Sequence, residues 1–273
     1  MSEATSLGVQ IDISDDVLRV VLDRPEALNS LTPDAVRSVI VALEAAAATD
    51  SVRAVLFASS GPDFCAGADV ITSNSAATNR AVDEKPKVGS IQRRTAMQAH
   101  RLIEVISTIQ VPVVCAIRGW AAGLGFQLAL AADFTIASDT ARFWEPFCPR
   151  GFTPDSGATW FLPRLVGVAR AKELLMLGRE LSGTEAAEWG LILRCVADEE
   201  LDSESAALVA DLASRATIAL GLTKHCVNRS LVSGLTDAMA SEVSALELSS
   251  RTADFREGLA SFRDHRPPEY QGR

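Results

Sequence analysis

The 273-residue chain is poor in the residues on which disulfide scaffolds and metal centres depend. Its five cysteines (Cys65, Cys115, Cys148, Cys195, Cys226) are scattered and odd in number. That excludes a disulfide framework and predicts reduced, buried thiols. Three histidines, His100, His225 and His265, stand alone, and no pair of cysteines or histidines has metal-ligand spacing, so no metal is expected. Basic residues are outnumbered, 26 Lys and Arg against 35 Asp and Glu, for a formal net charge of −9. This argues against general nucleic-acid binding and leaves only a local basic pocket for a phosphorylated small molecule. Long apolar runs are missing too: residues 36–48 are interrupted by Arg37 and Glu44, so no membrane span is expected. The opening M-S-E-A-T-S-L-G lacks the basic region and apolar core of a secretory signal. These absences together predict a cytoplasmic protein.

What is present is ordinary globular material, 48% hydrophobic and 22% charged, enough for one large domain or a domain with an appendage. Residues 8–23 alternate around Ser14-Asp15-Asp16 and read as a hairpin. Thr32 then caps a helix with Pro33 in its first position, running to about residue 48. Residues 52–58 form a buried strand ending in the turn-rich 59–63 and F-C-A-G-A-D-V. Residues 71–89 carry no period and read as a long mobile loop. A helix follows over 90–109 and a strand over 111–117. Strands are expected again over 134–137 and 141–147, and residues 148–167 read as a loop. Helix is expected over 169–177 and, capped by Thr184, to Trp189, with 191–196 extended. Beyond residue 201 only helices are legible. The switch predicts an α/β core over residues 1–200 and a helical C-terminal region over 201–273.

The segment organising this pattern is R-G-W-A-A-G-L-G-F-Q-L-A-L-A-A-D (118–133). An apolar strand leads into a turn of small residues, and helix formers follow from Gln127. The first N–H groups of such a helix point at whatever lies over the turn, and small residues let a ligand approach the backbone. That geometry suits a carbonyl oxygen gaining negative charge. Tight packing of a buried helix on a strand would use the same residues.

Three segments, F-C-A-G-A-D (64–69), G-W-A-A-G-L-G-F-Q-L-A-L-A-A-D (119–133) and P-D-S-G-A-T-W-F-L-P-R-L-V-G (154–167), resemble the crotonase superfamily of enoyl-CoA hydratases and isomerases. L-D-R-P-E-A-L-N-S-L and E-W-G-L-I add to the likeness, which runs in order along nearly the whole chain. The resemblance implies a spiral of β-β-α units with C-terminal helices that build homotrimers or dimers of trimers. It implies an acyl-CoA thioester as substrate in fatty-acid or lipid metabolism, coenzyme A being part of that substrate and no separate cofactor needed. By the same resemblance the backbone N–H groups of Ala68 and Leu124 form an oxyanion hole for a thioester enolate. Leu124 stands where the family usually has glycine. Ala66, Gly67, Asp69 and Val70 would pass the adenine and pantetheine, and Arg24 and Ala27 would border the phosphates. Asp69 reads equally as a carboxylate bonding its own turn, and Arg24 as a surface residue. Phe262, Arg263 and Arg266 could reach a neighbouring subunit's CoA or simply end an exposed helix.

The family's hydratases use two glutamates, and here those positions hold Gln127 and Phe147. Gln127 can bond a water but cannot take its proton, and Phe147 can do neither, although both would line the acyl pocket. Two-glutamate hydration is disfavoured. One acid remains nearby, Asp155 in T-P-D-S-G, which resembles the proton-shuttling aspartate of dienoyl-CoA and epoxyphenylacetyl-CoA isomerases and the nucleophile of 4-chlorobenzoyl-CoA dehalogenase. An apolar pocket walled by Trp144, Phe147 and Phe152 would favour its proton-carrying form. Pro-Asp-Ser-Gly is also a good helix N-cap signature, so both readings stand. Glu145, two residues before Phe147 and so on the same face if this stretch is a strand, is a secondary candidate, with a satisfied or solvent-facing glutamate as the plainer reading. The expected activity is isomerisation of an acyl-CoA through a stabilised enolate. The alternatives are hydration with atypical acid and base groups, and thioester binding without catalysis.

Overall fold

The computed structural model describes residues 7–69 and 88–273. Val70 and nearly all of the expected mobile loop lie outside the described residues.

Strands β1 (Val9–Ser14) and β2 (Val17–Leu22) form the expected hairpin, turning through Asp15 and Asp16, both at positive φ. Helix α1 (Pro33–Ala47) begins as its sequence dictates: Thr32 Oγ1 accepts from Ala35 N at 3.1 Å and Pro33 opens the first turn. Then come β3 (Ala54–Ser59) and α2 (residues 90–108), the latter with a π-turn at Ala96–His100. Next are β4 (Val113–Ile117), β5 (Trp120–Ala122), α3 (Leu124–Ala131), β6 (Phe134–Ser138) and β7 (Arg142–Trp144). Helix α4 (Ala158–Leu177), β8 (Leu181–Ser182), α5 (Gly183–Glu188) and β9 (Arg194–Val196) complete the α/β part. Only helices follow: α6 (Leu201–Ser214), α7 (Thr217–Ser230), α8 (Leu235–Ser249) and α9 (Ala253–Arg263).

A six-stranded sheet runs β1-β2-β3-β4-β6-β9, parallel after the first hairpin. One face packs on α1, α2 and α3 through Val55, Phe57, Cys115 and Ile117; the other carries Leu56, Val114 and Ile136 against Leu201, Val209 and Leu212 of α6. Being covered on both sides, these strands read as nearly continuous apolar runs. A smaller sheet, β5-β7-β8, lies beside α3.

Three expectations are corrected. Residues 118–123 are not all turn: Trp120–Ala122 is a strand pairing with β7, and α3 starts at Leu124, three residues before Gln127. A three-residue strand of two alanines carries no period to read. Residues 158–167 are helix rather than loop even though Pro163 lies inside α4, and the real break is Gly167, at φ 80° and ψ 162°. Finally, α5 is capped by Ser182, whose hydroxyl and Glu185 form a reciprocal capping box, and not by Thr184. The thiols also differ from the expectation. Cys65 and Cys115 are buried, Cys195 and Cys226 are half-buried, and Cys148 is exposed.

Candidate active site

Two backbone turns meet at the end of β4. The first is held by Asn29, which is 1% exposed. Its Oδ1 accepts from Arg24 N at 2.7 Å, and its Nδ2 donates to Ser60 O at 2.8 Å and Asp63 O at 2.7 Å. This one amide ties the R-P-E-A-L-N loop to the F-C-A-G-A-D loop. Leu31 N donates to Gly67 O and Asp69 N to Leu31 O, so both bonds of this bridge leave from the residues flanking Ala68. Alternation along an extended chain turns the Ala68 N–H to the opposite side, and Ala68 is exposed there.

The second turn is the start of α3. Cys65 N donates to Trp120 O and Ala122 N to Cys65 O, docking the first loop along β5. Gly123 caps α3 at φ 51° and ψ −120°, a conformation open to glycine. Contact between the turns is close enough that a Cβ on Gly67 would lie 2.9 Å from Ala122 O and 3.5 Å from Leu124 N. A Cβ on Gly125 would lie 2.3 Å from Cys65 O. The glycines therefore bring Leu124 N–H, first in its helix and free of an i−4 partner, beside the Ala68 loop. Leu124 is buried at 5% exposure. Gly125→Ala would push the two turns apart. It should lower stability by about 1–3 kcal/mol and reduce turnover, read by thermal unfolding and initial rates; unchanged values would show that the turns need not touch.

Around this point the structure gathers several of the expected residues. Gln127, wholly buried, donates its backbone N–H to Gly123 O at 2.9 Å. Phe147 is 7% exposed; its ring edge lies over Gly123, 3.7 Å from where a Cβ would stand, and packs edge-on against Phe152 at 5.2 Å. Trp144 turns aside, its indole N–H bound to Gly178 O at 2.9 Å, and Phe152 is half exposed. The expected aromatic enclosure of Asp155 is thus partial: Asp155 is exposed.

Asp155 is not a helix cap. Helix α4 begins at Ala158 behind Gly157, with no side-chain cap, and Ala158 N–H bonds the backbone carbonyl of Asp155 at 3.1 Å. Positive φ at Ser156 (48°) and Gly157 (90°) displaces Asp155 from the capping position. Among the described residues its carboxylate makes no hydrogen bond or ion pair; its acting neighbour is Glu145.

Glu145 is neither satisfied nor solvent-facing. It is 0% exposed, and neither carboxyl oxygen has a hydrogen-bond partner of normal geometry. Both side-chain polar atoms of Gln127 and the hydroxyl of Ser156 are likewise buried and unbonded. Burial foremost, then the charge of Asp155, pushes the Glu145 carboxyl well above the usual range, and the Gln127 amide beside it offsets this in part. Sequence reading noticed Glu145 but had no means of seeing that Gln127 would face it.

The residues expected at the CoA end lie along the first loop. Arg24 Nη1 bonds Ser30 O at 3.1 Å and Asp69 Oδ2 at 3.2 Å, so Asp69, 8% exposed, engages the arginine across the turn. Arg24 is neither a free surface cation nor without an internal partner. Ala27 N donates to Arg24 O and Ala66 N to Leu28 O, both at 2.9 Å, leaving these alanines half-buried on the same loop pair. Phe262 is exposed, while Arg263 and Arg266 pair with Asp264 and Glu257.

The family model described as enoyl-CoA hydratase/isomerase matches residues 12–273. A curated relative, the 1,2-epoxyphenylacetyl-CoA isomerase of Escherichia coli (strain K12), is 35% identical over 261 residues, 96% of this chain and 97% of its own. The crotonyl-CoA hydratase of Syntrophomonas wolfei is 30% identical over 250 residues, 91% of this chain and 92% of its own. A solved enoyl-CoA hydratase from Polaromonas sp. JS666 superposes with a TM-score of 0.87 at 30% identity, covering 96% of this chain and 99% of that one.

Proposed function

The chain belongs to the enoyl-CoA hydratase/isomerase family, and from that premise we propose that it isomerises an acyl-CoA thioester through an enolate, with Asp155 carrying the proton. The observation carrying this reading is the free, exposed carboxylate of Asp155 beside a site in which Gln127 and Phe147 occupy the two glutamate positions of the hydratases. Ala68 and Leu124 N–H groups receive the thioester oxygen as charge develops on it; each such donor is worth ~10²–10³ in rate. Asp155 takes a proton from one carbon of the acyl group, the C–H electron pair passes into the enolate, and the same carboxyl returns the proton at another carbon. Arg24, Ala27, Ala66, Gly67 and Asp69 border the CoA moiety, and Phe147 walls the acyl group. The protein needs no separate cofactor, and its C-terminal helices assemble it as a trimer or dimer of trimers. The enzyme named an isomerase among its relatives supports the choice of reaction.

Hydration is the second reading, favoured by the buried, unbonded polar atoms of Gln127 and Glu145, groups of the kind a bound water satisfies. A panel of enoyl-CoA and aryl-CoA thioesters followed side by side separates the readings. Isomerised product without incorporation of ¹⁸O from labelled water is the expected result. Dominant hydration would replace isomerisation as the function, and the absence of either reaction or proton exchange would leave thioester binding alone.

A further inference from the structure

We propose that Glu145 is a positioning residue that works as a neutral acid beside Asp155. The proposal rests on the reading of Asp155 as the proton carrier.

Its basis is the frame around Gly123. The Gly123 N–H donates to Trp144 O at 3.0 Å, and its carbonyl accepts from Gln127 N at 2.9 Å. Glu145 directly follows Trp144, so Glu145 and Gln127 are fixed by the backbone on either side of the turn that presents Leu124 N–H. Both side chains are completely buried and all four of their polar atoms are unbonded. A carboxylate at such a place would be a charge without compensation, whereas a carboxylic acid costs far less and offers an O–H.

Among the described residues no cation acts on Glu145, and Arg142 of β7 is exposed. Strand β5 (W-A-A), α3 (L-G-F-Q-L-A-L-A) and β8 (L-S) hold no titratable side chain. In the next turn Cys148 is exposed, and Arg150 lies on the Trp144 ring at 5.1 Å. The first titratable side chain of α4, Arg164, lies on Trp160 at 4.3 Å. Among the described residues Asp155 is the charged group acting on Glu145, and it raises the cost of ionising it. A carboxyl held neutral by its surroundings places a proton donor in the same site as the proton-carrying Asp155. A second negative charge on Glu145 would also oppose the enolate charge gathering at Leu124 N–H.

Catalysis then requires Glu145 protonated, so activity falls on the alkaline side as Glu145 ionises. The test is the pH profile of kcat and kcat/KM for isomerisation in the wild type, Glu145→Gln, Glu145→Leu and Asp155→Asn. Glu145→Gln keeps a donor but cannot ionise. It should lose the alkaline fall and show a smaller drop in neutral-pH kcat than Glu145→Leu. Glu145→Leu should lose ~10²-fold in kcat, with KM little altered, and should unfold at a temperature no lower than the wild type, since it replaces an unbonded acid by hydrocarbon. An alkaline fall persisting in Glu145→Gln would overturn the proposal. So would Glu145→Leu at wild-type rates across the pH range, while loss of activity in Asp155→Asn alone would leave the Asp155 reading intact. Full activity of Asp155→Asn would remove the premise and the proposal together.

Discussion

Asp155→Asn is expected to lower isomerisation by ~10²–10⁴-fold while thioester binding and stability stay near wild type. The stability half follows from what Asp155 does not do. Its carboxylate caps no helix and makes no ion pair or hydrogen bond among the described residues, and the bond at the start of α4 comes from its backbone carbonyl. An amide of the same shape therefore removes no structural contact. The binding half follows from position, since the thioester oxygen and the CoA moiety would be held by backbone and side chains of the two turns. Only proton acceptance is lost. Exchange of substrate α- or γ-protons into D₂O, followed by NMR, isolates that step from product release. Loss of exchange with an unchanged dissociation constant for a non-reacting thioester is the expected pair of results. Exchange at the wild-type rate would remove Asp155 from the chemistry.

Much of the fold was legible because period and punctuation agree. The D-D hairpin, the Thr32–Pro33 helix start and the change to helices alone after residue 201 all stand where local chemistry places them. What was illegible depends on partners remote in sequence. Strand β5 exists because β7 and the Cys65 loop bond to it, and no residue type in W-A-A announces that. Asn29 is indistinguishable from any turn asparagine until Ser60 and Asp63 are brought to its amide. Asp155 carried a cap signature in good order, yet two successive positive-φ residues cancel it. Glu145 is the sharpest case. Its spacing from Phe147 leaves open whether it is buried or solvent-facing, and only the Gly123 hydrogen bonds place it across that turn from Gln127, with the polar atoms of both side chains buried and unbonded.

Removing the ammonium of Lys224 should be strongly destabilising. The side chain, 8% exposed, reaches from α7 into the α/β part, where Nζ donates to Asp133 Oδ2 at 2.7 Å, Ile106 O at 2.8 Å and Val111 O at 3.4 Å. Asp133 Oδ2 also accepts from Val113 N at 2.8 Å, at the first residue of β4. Burial works against both charges, pushing Asp133 up and Lys224 down from their ordinary values, while each partner restrains the other's shift. The pair is thus stabilising only as a pair. Lys224→Met keeps the length and the apolar stem but leaves a mostly buried carboxylate and two carbonyls without their donor. The expected loss is about 3 kcal/mol, read as a lower urea midpoint at unchanged m-value. Asp133→Asn in the Lys224→Met background should recover part of it, because the amide needs no counter-charge and its oxygen can still accept from Val113. Because Asn228 Nδ2 holds Ser107 O at 2.8 Å one turn further along α7, the helix should not detach completely. Limited proteolysis of Lys224→Met should therefore cut first within the C-terminal helices, at a rate the double variant reduces. A stability change below about 1 kcal/mol would mean that water replaces the ammonium at this junction.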